Sequence, residues 1–317
     1  MDEKILVTGP FGQIGSELVP ELQERYGKEN VIALGHRHIP DDFDGVIEIG
    51  DVRDEEFMTG LYHKYGFTQV YHLASLLSAV GEKKPDLAWS VNMDGLKVIL
   101  DLSVEYDSKV FWASSIAVFG PNTPMENTPQ HTILEPITMY GVTKVSGELL
   151  CQYYYEKYGL DVRSLRYPGL ISWKEEPGGG TTDYAVEIFY KALEEGEYTC
   201  FVDKDTKLPM MYMEDAVNGT IKLMEADASE IDIRMSYNHG ALSFTVEELE
   251  NEIKKHIPEL VVHYEPDERQ KTADSWPNSV DDSKAREDWG WKHEYGLSGM
   301  VEVMLENLKK KGAEGSS

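Results

Sequence analysis

The sequence predicts an α/β chain, a doubly wound parallel sheet followed by a smaller α+β region toward the C-terminus. Three observations carry that expectation. Short β-branched and aromatic runs alternate with helical stretches through the first half of the chain. Those runs are almost continuously apolar, as strands covered by helices on both faces must be. A glycine-rich turn sits directly behind the first of them.

In order, KILVTG (4–9) reads as the first strand and Gln13–Tyr26 as an amphipathic helix. VIALG (31–35) and VIEIG (46–50) are the second and third strands, and VYHLA (70–74) and KVFWASS (109–115) the next two, with a helical pattern near Pro85–Val104 between them. A helix over Met139–Tyr158 leads to the strand DVRSLRY (161–167). Right-handed crossovers between such strands give the doubly wound topology. After Pro168 the pattern turns irregular: a loop KEEPGGGTTD (174–183), a helix over Tyr184–Glu195, and a strand within MSYNHG (235–240) that returns to the main sheet. SFTVEELENEIKKHIP (243–258) is expected to be helical, with a Ser/Thr cap, early glutamates, late lysines and a closing proline. The last periodic segment is Ser298–Lys310.

Composition removes several classes of function. With 41% hydrophobic and 27% charged residues the chain is an ordinary globular protein. It carries 57 acidic against 30 basic side chains, a net charge of -27, which repels nucleic acid and anionic lipid. That balance is expected to be a solvated acidic surface; adaptation to a salty cytoplasm is the sharper reading, weighed against by the 22 lysines. Cys151 and Cys200 form no CxxC pair, which fits a reducing compartment. The N-terminal MDEKILVTG lacks the basic start of a secretory signal, and no apolar run approaches the ~20 residues that span a bilayer. A cytoplasmic protein with neither membrane nor nucleic-acid partner is therefore expected. The 9 histidines and 2 cysteines show no metal-ligand spacing.

The turn Thr8-Gly9-Pro10-Phe11-Gly12-Gln13-Ile14-Gly15 has GxxGxxG spacing at the first strand–helix junction. Glycines there allow a tight turn and a close approach of backbone to a pyrophosphate, and the helix N-terminus offers N–H groups to the anion. This is the mark of a Rossmann-type dinucleotide site, with Gly9, Phe11, Gly12, Gln13 and Ile14 as expected contacts. An acidic residue should close the second strand to bind the adenosine ribose. Leu34-Gly35-His36-Arg37-His38 stands there instead. Without a carboxylate at Gly35 or His36, a 2′-phosphate meets no repulsion, and Arg37 either pairs with it or points to solvent. NAD and NADP both remain open on the bare residues. Asp51 and Val52, after the third strand, are expected beside the adenine.

Tyr140-Gly-Val-Thr-Lys144 places a phenol and an ammonium four apart on one helix face. A free phenol titrates near ~10, and a neighbouring cation favours the phenolate, so the pair is a plausible general base for a secondary alcohol. Ser115, at the end of KVFWASS, is placed to hydrogen-bond the reacting oxygen at the carboxyl edge of the sheet, where ligands of this topology bind. Its neighbour Ser114 is expected to do no more than cap the strand end. Asn92, mid-helix, either holds a water that relays protons through Lys144 or satisfies backbone groups.

These residues resemble those of the extended short-chain dehydrogenase/reductase family over essentially the whole chain. The stretches LVTGPFGQIGSELVPEL, HLASLLSAVGE, SSIAVFGP, MYGVTK, YYYEKYGLDVRSLRYPGLIS, GGGTTDYAVEIFY, PMMYM and SWPNSVDDSKAREDWGW are similar to its NAD-dependent L-threonine 3-dehydrogenase branch. The resemblance implies oxidation of L-threonine at its β-carbon to 2-amino-3-ketobutyrate, with Ser115, Tyr140 and Lys144 catalytic. It implies Ser78, Thr181 and Thr182 as substrate contacts, Trp276 closing the pocket, and Pro168 and Gly169 flanking the nicotinamide. Leu73, Ala74, Asn92, Tyr140, Lys144 and Tyr167 complete the expected cofactor contacts. Homodimers built on helices like 86–104 and 139–158 are typical of that branch. Gly35 departs from its usual aspartate, which leaves cofactor preference open.

The domain division that follows is a dinucleotide-binding region over 1–170 with a returning segment near 212–240. Residues 171–211 and 241–311 then form a substrate-binding region, and 312–317 a disordered tail. The competing enzyme is a nucleotide-sugar epimerase or dehydratase with the same trio, whose diphosphate substrate needs cations that the acidic WKEEPGGG segment does not offer. A dinucleotide sensor without chemistry has no need of the trio, and a zinc-dependent dehydrogenase lacks its ligands.

Overall fold

A computed structural model describes residues 3–36, 39–40, 43–176 and 178–314. The first half runs β1 (Ile5–Thr8), α1 (Gly15–Tyr26), β2 (Val31–Gly35), β3 (Val46–Ile49), α2 (Glu55–Tyr65), β4 (Gln69–His72), α3 (Ser78–Lys83), α4 (Pro85–Trp89), α5 (Gly95–Tyr106), β5 (Lys109–Ser115), α6 (Met139–Tyr158) and β6 (Val162–Tyr167). The second half runs β7 (Gly169–Ile171), α7 (Tyr184–Glu194), β8 (Glu197–Cys200), β9 (Lys207–Tyr212), α8 (Met213–Glu225), β10 (Tyr237–Asn238), β11 (Leu242–Thr245), α9 (Val246–Lys254), β12 (Val261–Tyr264), α10 (Arg269–Ala273), α11 (Ser283–Trp289) and α12 (Leu297–Glu314).

The main sheet has seven strands in the order β10-β6-β5-β4-β1-β2-β3, and every neighbouring pair is parallel. The chain winds outward from β1 to β3, then crosses back through β4 to β10. The strand order reverses beside β1 and β4, and a crevice opens there at the carboxyl ends. β1 and β2 are buried along their whole length, which is why they appear in the sequence as unbroken apolar runs. One face is closed by a core including Leu18, Val19 and Leu22 of α1 and Val217 and Ile221 of α8. The other is closed by one including Met58, Leu61, Leu96, Ile99 and Leu100 of α2 and α5.

A third core gathers Tyr184, Phe189, Phe244, Leu249, Met300 and Met304, and holds the smaller sheets β11-β9-β7 and β12-β8. The cysteines are both buried and unpaired. No helix among the described residues is long and apolar enough to cross a membrane.

Several boundaries differ from the sequence reading for identifiable reasons. The first helix begins at Gly15, because Gln13 and Ile14 belong to the turn that delivers it. Ser243–Thr245 is strand, paired antiparallel with β9, and the Thr245 side chain then caps α9 in a capping box with Glu248. That helix stops at Lys254 rather than reaching Pro258. The segment near Pro85–Val104 is interrupted by a π-helical turn, Ser90–Asp94, between α4 and α5. At the C-terminus α12 continues to Glu314, past the tail boundary expected at 312; residues 315–317 lie outside the described ones.

Two buried histidines set a pH limit on this fold. Burial holds both His72 and His239 down to about 3, Lys144 adding to the effect at His72. Each stays neutral in the native state and takes up a proton on unfolding. Their stabilisation is therefore complete above the unfolded pKa near ~6.5 and is lost as pH falls toward the folded value. Between those limits stability should drop by roughly 1.4 kcal/mol per pH unit per histidine. Denaturant titrations from pH 7 to pH 4 check this expectation: a flat stability over that range would contradict it.

Candidate active site

The glycine turn is built as a cradle. Gly9 has φ +68°, and a Cβ on it would stand 2.9 Å from the Ala74 amide nitrogen. A Cβ on Gly15 would stand 2.7 Å from Pro10 backbone atoms and closer still to the Gly9 carbonyl. Thr8 fastens the two strand ends that flank the crevice: its Oγ1 accepts from the Leu73 and Ala74 amides, each at 3.2 Å, and bonds His72 Nδ1 at 2.8 Å. α1 has no side-chain cap, and its first turn opens on the crevice.

Two cavities share Gly9 and Gly12. The first, of about 450 Å³, is lined by Phe11, Gly35, His36, Asp51, Val52 and Ala74 among others. It has the size and position for the adenosine half of a dinucleotide. The second, of about 230 Å³, is lined by Gln13, Ile14, Leu73, Tyr167, Pro168 and Gly169 from the cofactor side. Ser78, Ser115, Tyr140, Lys144, Thr181, Thr182 and Trp276 line it as well. The glycine cradle, the uncapped helix start and this continuous groove fit a bound nicotinamide dinucleotide.

Two expected cofactor contacts stand apart. Asn92 lines neither cavity: its amide accepts from Leu76 N at 2.7 Å and donates to Leu76 O and Thr143 Oγ1, both at 3.1 Å. It takes the backbone-satisfying alternative, pinning the loop after β4 to α6. Arg37 lies outside the described residues. Sequence reading missed Leu34, Gly50, Arg53, Leu76, Leu87 and Val91 at the adenosine end, and Asp183 at the other. Arg53 had a sequence signal, two residues beyond Asp51. It grips that carboxylate through Nε at 2.9 Å and Nη2 at 2.5 Å, and so holds Asp51 down to about 2. Asp183 is buried and accepts from the Gly179 and Gly180 amides at 2.7 Å each, folding the glycine loop against Thr181 and Thr182.

Tyr140 and Lys144 project from the start of α6, whose N-cap Thr138 accepts from Gly141 N at 3.1 Å. Ser115 ends β5 opposite them, and its hydroxyl also accepts from Ala117 N at 3.2 Å. Burial pushes the Tyr140 phenol up to about 12, while its hydrogen bond with Ser115 draws it down. Burial holds Lys144 down to about 7. The lysine effect expected from the four-residue spacing is directed elsewhere: Nζ donates to Ala113 O at 2.6 Å and lies 5.3 Å from the Tyr140 ring centre. Lys144 thus anchors α6 to β5 beside Ser115, and its charge is available to the phenol only in part at neutral pH.

The NAD dependent epimerase/dehydratase family model matches residues 5–238. The chain belongs to that family. It is 48% identical over 313 residues to an uncharacterized epimerase/dehydratase of Staphylococcus haemolyticus, covering 98% of both chains. Among solved structures it is similar to the L-threonine dehydrogenase of Clostridium difficile, with 49% identity, a TM-score of 0.96 and 98% of each chain covered. It is also similar to a monomeric L-threonine 3-dehydrogenase from a metagenome, with 48% identity, a TM-score of 0.94, and 97% and 99% covered.

Proposed function

We propose that this chain oxidises L-threonine at its 3-hydroxyl to 2-amino-3-ketobutyrate, with NAD as hydride acceptor and Tyr140 as general base. The observation that carries the reading is the 230 Å³ cavity in which Ser115, Tyr140 and Lys144 meet Ser78, Thr181, Thr182 and Trp276. Among the described lining residues Lys144 is the only lysine or arginine, and it is held on Ala113. A diphosphate would find no free cation there, whereas a small zwitterion finds hydroxyls and loop N–H groups for its carboxylate. The similarity to L-threonine dehydrogenases supports the same substrate.

When bound, NAD supplies the hydride acceptor. Tyr140 takes the proton of the 3-hydroxyl, and Ser115 hydrogen-bonds that oxygen and aims it. Lys144 fixes the height of Tyr140 against β5, and the part of its charge that persists at neutral pH favours the phenolate. Trp276, buried at the cavity wall, excludes water. The test is conversion of L-threonine against a UDP-sugar: turnover of the sugar and not of L-threonine would favour an epimerase or dehydratase.

At the ribose end Gly35 presents no carboxylate, and Asp51 is held by Arg53, so discrimination against a 2′-phosphate is weak. Gly35→Asp should raise the ratio of NAD to NADP in kcat/KM. An unchanged ratio would show that Gly35 does not govern the choice.

The protein works in the cytoplasm as a homodimer in this reading. α4 packs on α6, and together with α5 they leave Trp89, Val104, Val142, Leu149 and Tyr153 exposed, an apolar face that a second copy would cover. Sedimentation should give the dimer mass, and Leu149→Arg should give the monomer. A wild-type monomer, like the metagenomic relative, would overturn this part of the reading.

A further inference from the structure

α6 carries a third chemical residue on the face that bears Tyr140 and Lys144. Glu148 follows at the next four-residue step and is fully buried. Its Oε1 accepts from Ser114 Oγ at 2.6 Å and from Arg166 Nε at 2.9 Å, and its Oε2 accepts from Arg166 Nη2 at 2.7 Å. Arg166, also buried, spends Nη1 on Gln130 O and Asn238 Oδ1, both at 3.0 Å. The Asn238 Nδ2 donates in turn to Thr128 O and Asp281 O, each at 3.0 Å. Neither Glu148 nor Arg166 lines either of the two site cavities. Eight helical residues put Glu148 about 12 Å along α6 from Tyr140, out of reach of a substrate.

A buried ion pair is a poor way to gain stability, since apolar residues of similar volume often serve as well or better. Its value here lies in what it joins. Ser114 adjoins Ser115 on β5, Arg166 adjoins Tyr167 on β6, and Asp281 follows Trp276 by five residues. One bidentate carboxylate therefore sets the register of α6 against the strand carrying Ser115, and the same arginine extends that register to the segment behind Trp276.

We propose that Glu148 and Arg166 are positioning residues, a buried clamp that fixes the Tyr140 hydroxyl against Ser115 and against the Trp276 wall. The proposal rests on the reaction assigned to Tyr140. The double variant Glu148→Leu with Arg166→Met removes the clamp without leaving an unpaired charge. It should fold and bind NAD with the wild-type Kd, keep the KM for L-threonine, and lose about tenfold to a hundredfold in kcat, the scale of a misplacement near 1 Å. Its crystal structure should show the Tyr140 hydroxyl displaced from Ser115. Wild-type kcat in the folded double variant, or an unmoved hydroxyl, overturns the proposal. Should the double variant fail to fold, the crystal structure of Ser114→Ala, which leaves the ion pair intact but cuts its bond to β5, decides: a Tyr140 hydroxyl displaced from Ser115 supports the clamp, and an unmoved hydroxyl overturns it. The crystallographic displacement needs no turnover, so a wild-type protein inactive on L-threonine would sink the proposed reaction while leaving the clamp to be judged by geometry.

Discussion

Tyr140→Phe should lower kcat with L-threonine by about 10²- to 10⁴-fold, the range a positioned general base contributes. The substitution removes one hydroxyl and keeps the ring, so the cavity wall and the packing of α6 remain. The Kd of NAD should therefore stay at the wild-type value, and activity and binding should separate cleanly. Because the phenol is held at about 12 by burial and the ionised form does the work, kcat should rise with pH from neutral into the alkaline range. Lys144 opposes part of that rise, since it loses its charge as pH passes about 7. Stopped or steady-state rates over pH 6 to pH 10 check both statements. Full activity in Tyr140→Phe would remove Tyr140 from the chemistry.

Gly15→Ala should have the second large effect, on binding rather than on rate. The added methyl group would enter the Pro10 backbone at 2.7 Å, with the Gly9 carbonyl nearer still. Backbone cannot rotate away as a flexible side chain can, so the turn must shift. Overpacking of this kind costs about 1–3 kcal/mol. If the dinucleotide cradle absorbs the shift, NAD affinity falls by about tenfold to a hundredfold. Gly60→Ala is the matched control, because a Cβ there meets nothing within 4 Å in the body of α2. It should leave NAD binding intact and stabilise the helix by up to about 1 kcal/mol. Equal binding in both variants would contradict the cradle.

The parts of the fold that were legible in the sequence are those held by local rules. β1, β2 and β5 are buried on both faces and appear as apolar runs, and the glycine turn appears because close backbone approach admits no side chain. The Tyr140–Lys144 spacing is legible because a helix face repeats every four residues. The smaller sheets were not, since β8 pairs with β12 and β9 with β7 and β11 across long stretches of chain, and nothing in a four-residue strand announces its partner. Ser243–Thr245 was misread because a capping threonine looks the same whether a loop or a strand precedes it.

The site divides in the same way. Its glycines stand out by motif, while Ser78, Thr181 and Thr182 follow only from the family resemblance; all of them line the two joined cavities. Asn92 looks like a ligand contact by type but is consumed by Leu76 and Thr143. Asp51 stands where an adenine contact is expected, yet its charge belongs to Arg53. Glu148 and Arg166 belong to no sequence motif, and only the packed fold shows them paired and buried.

The most direct test of the account is the initial rate of NAD reduction by purified protein given L-threonine, with the keto product quantified alongside. The account predicts one reduced dinucleotide formed for each 2-amino-3-ketobutyrate, and in Tyr140→Phe the same reaction slowed by about 10²- to 10⁴-fold. Protein that binds NAD yet leaves L-threonine unchanged would contradict it.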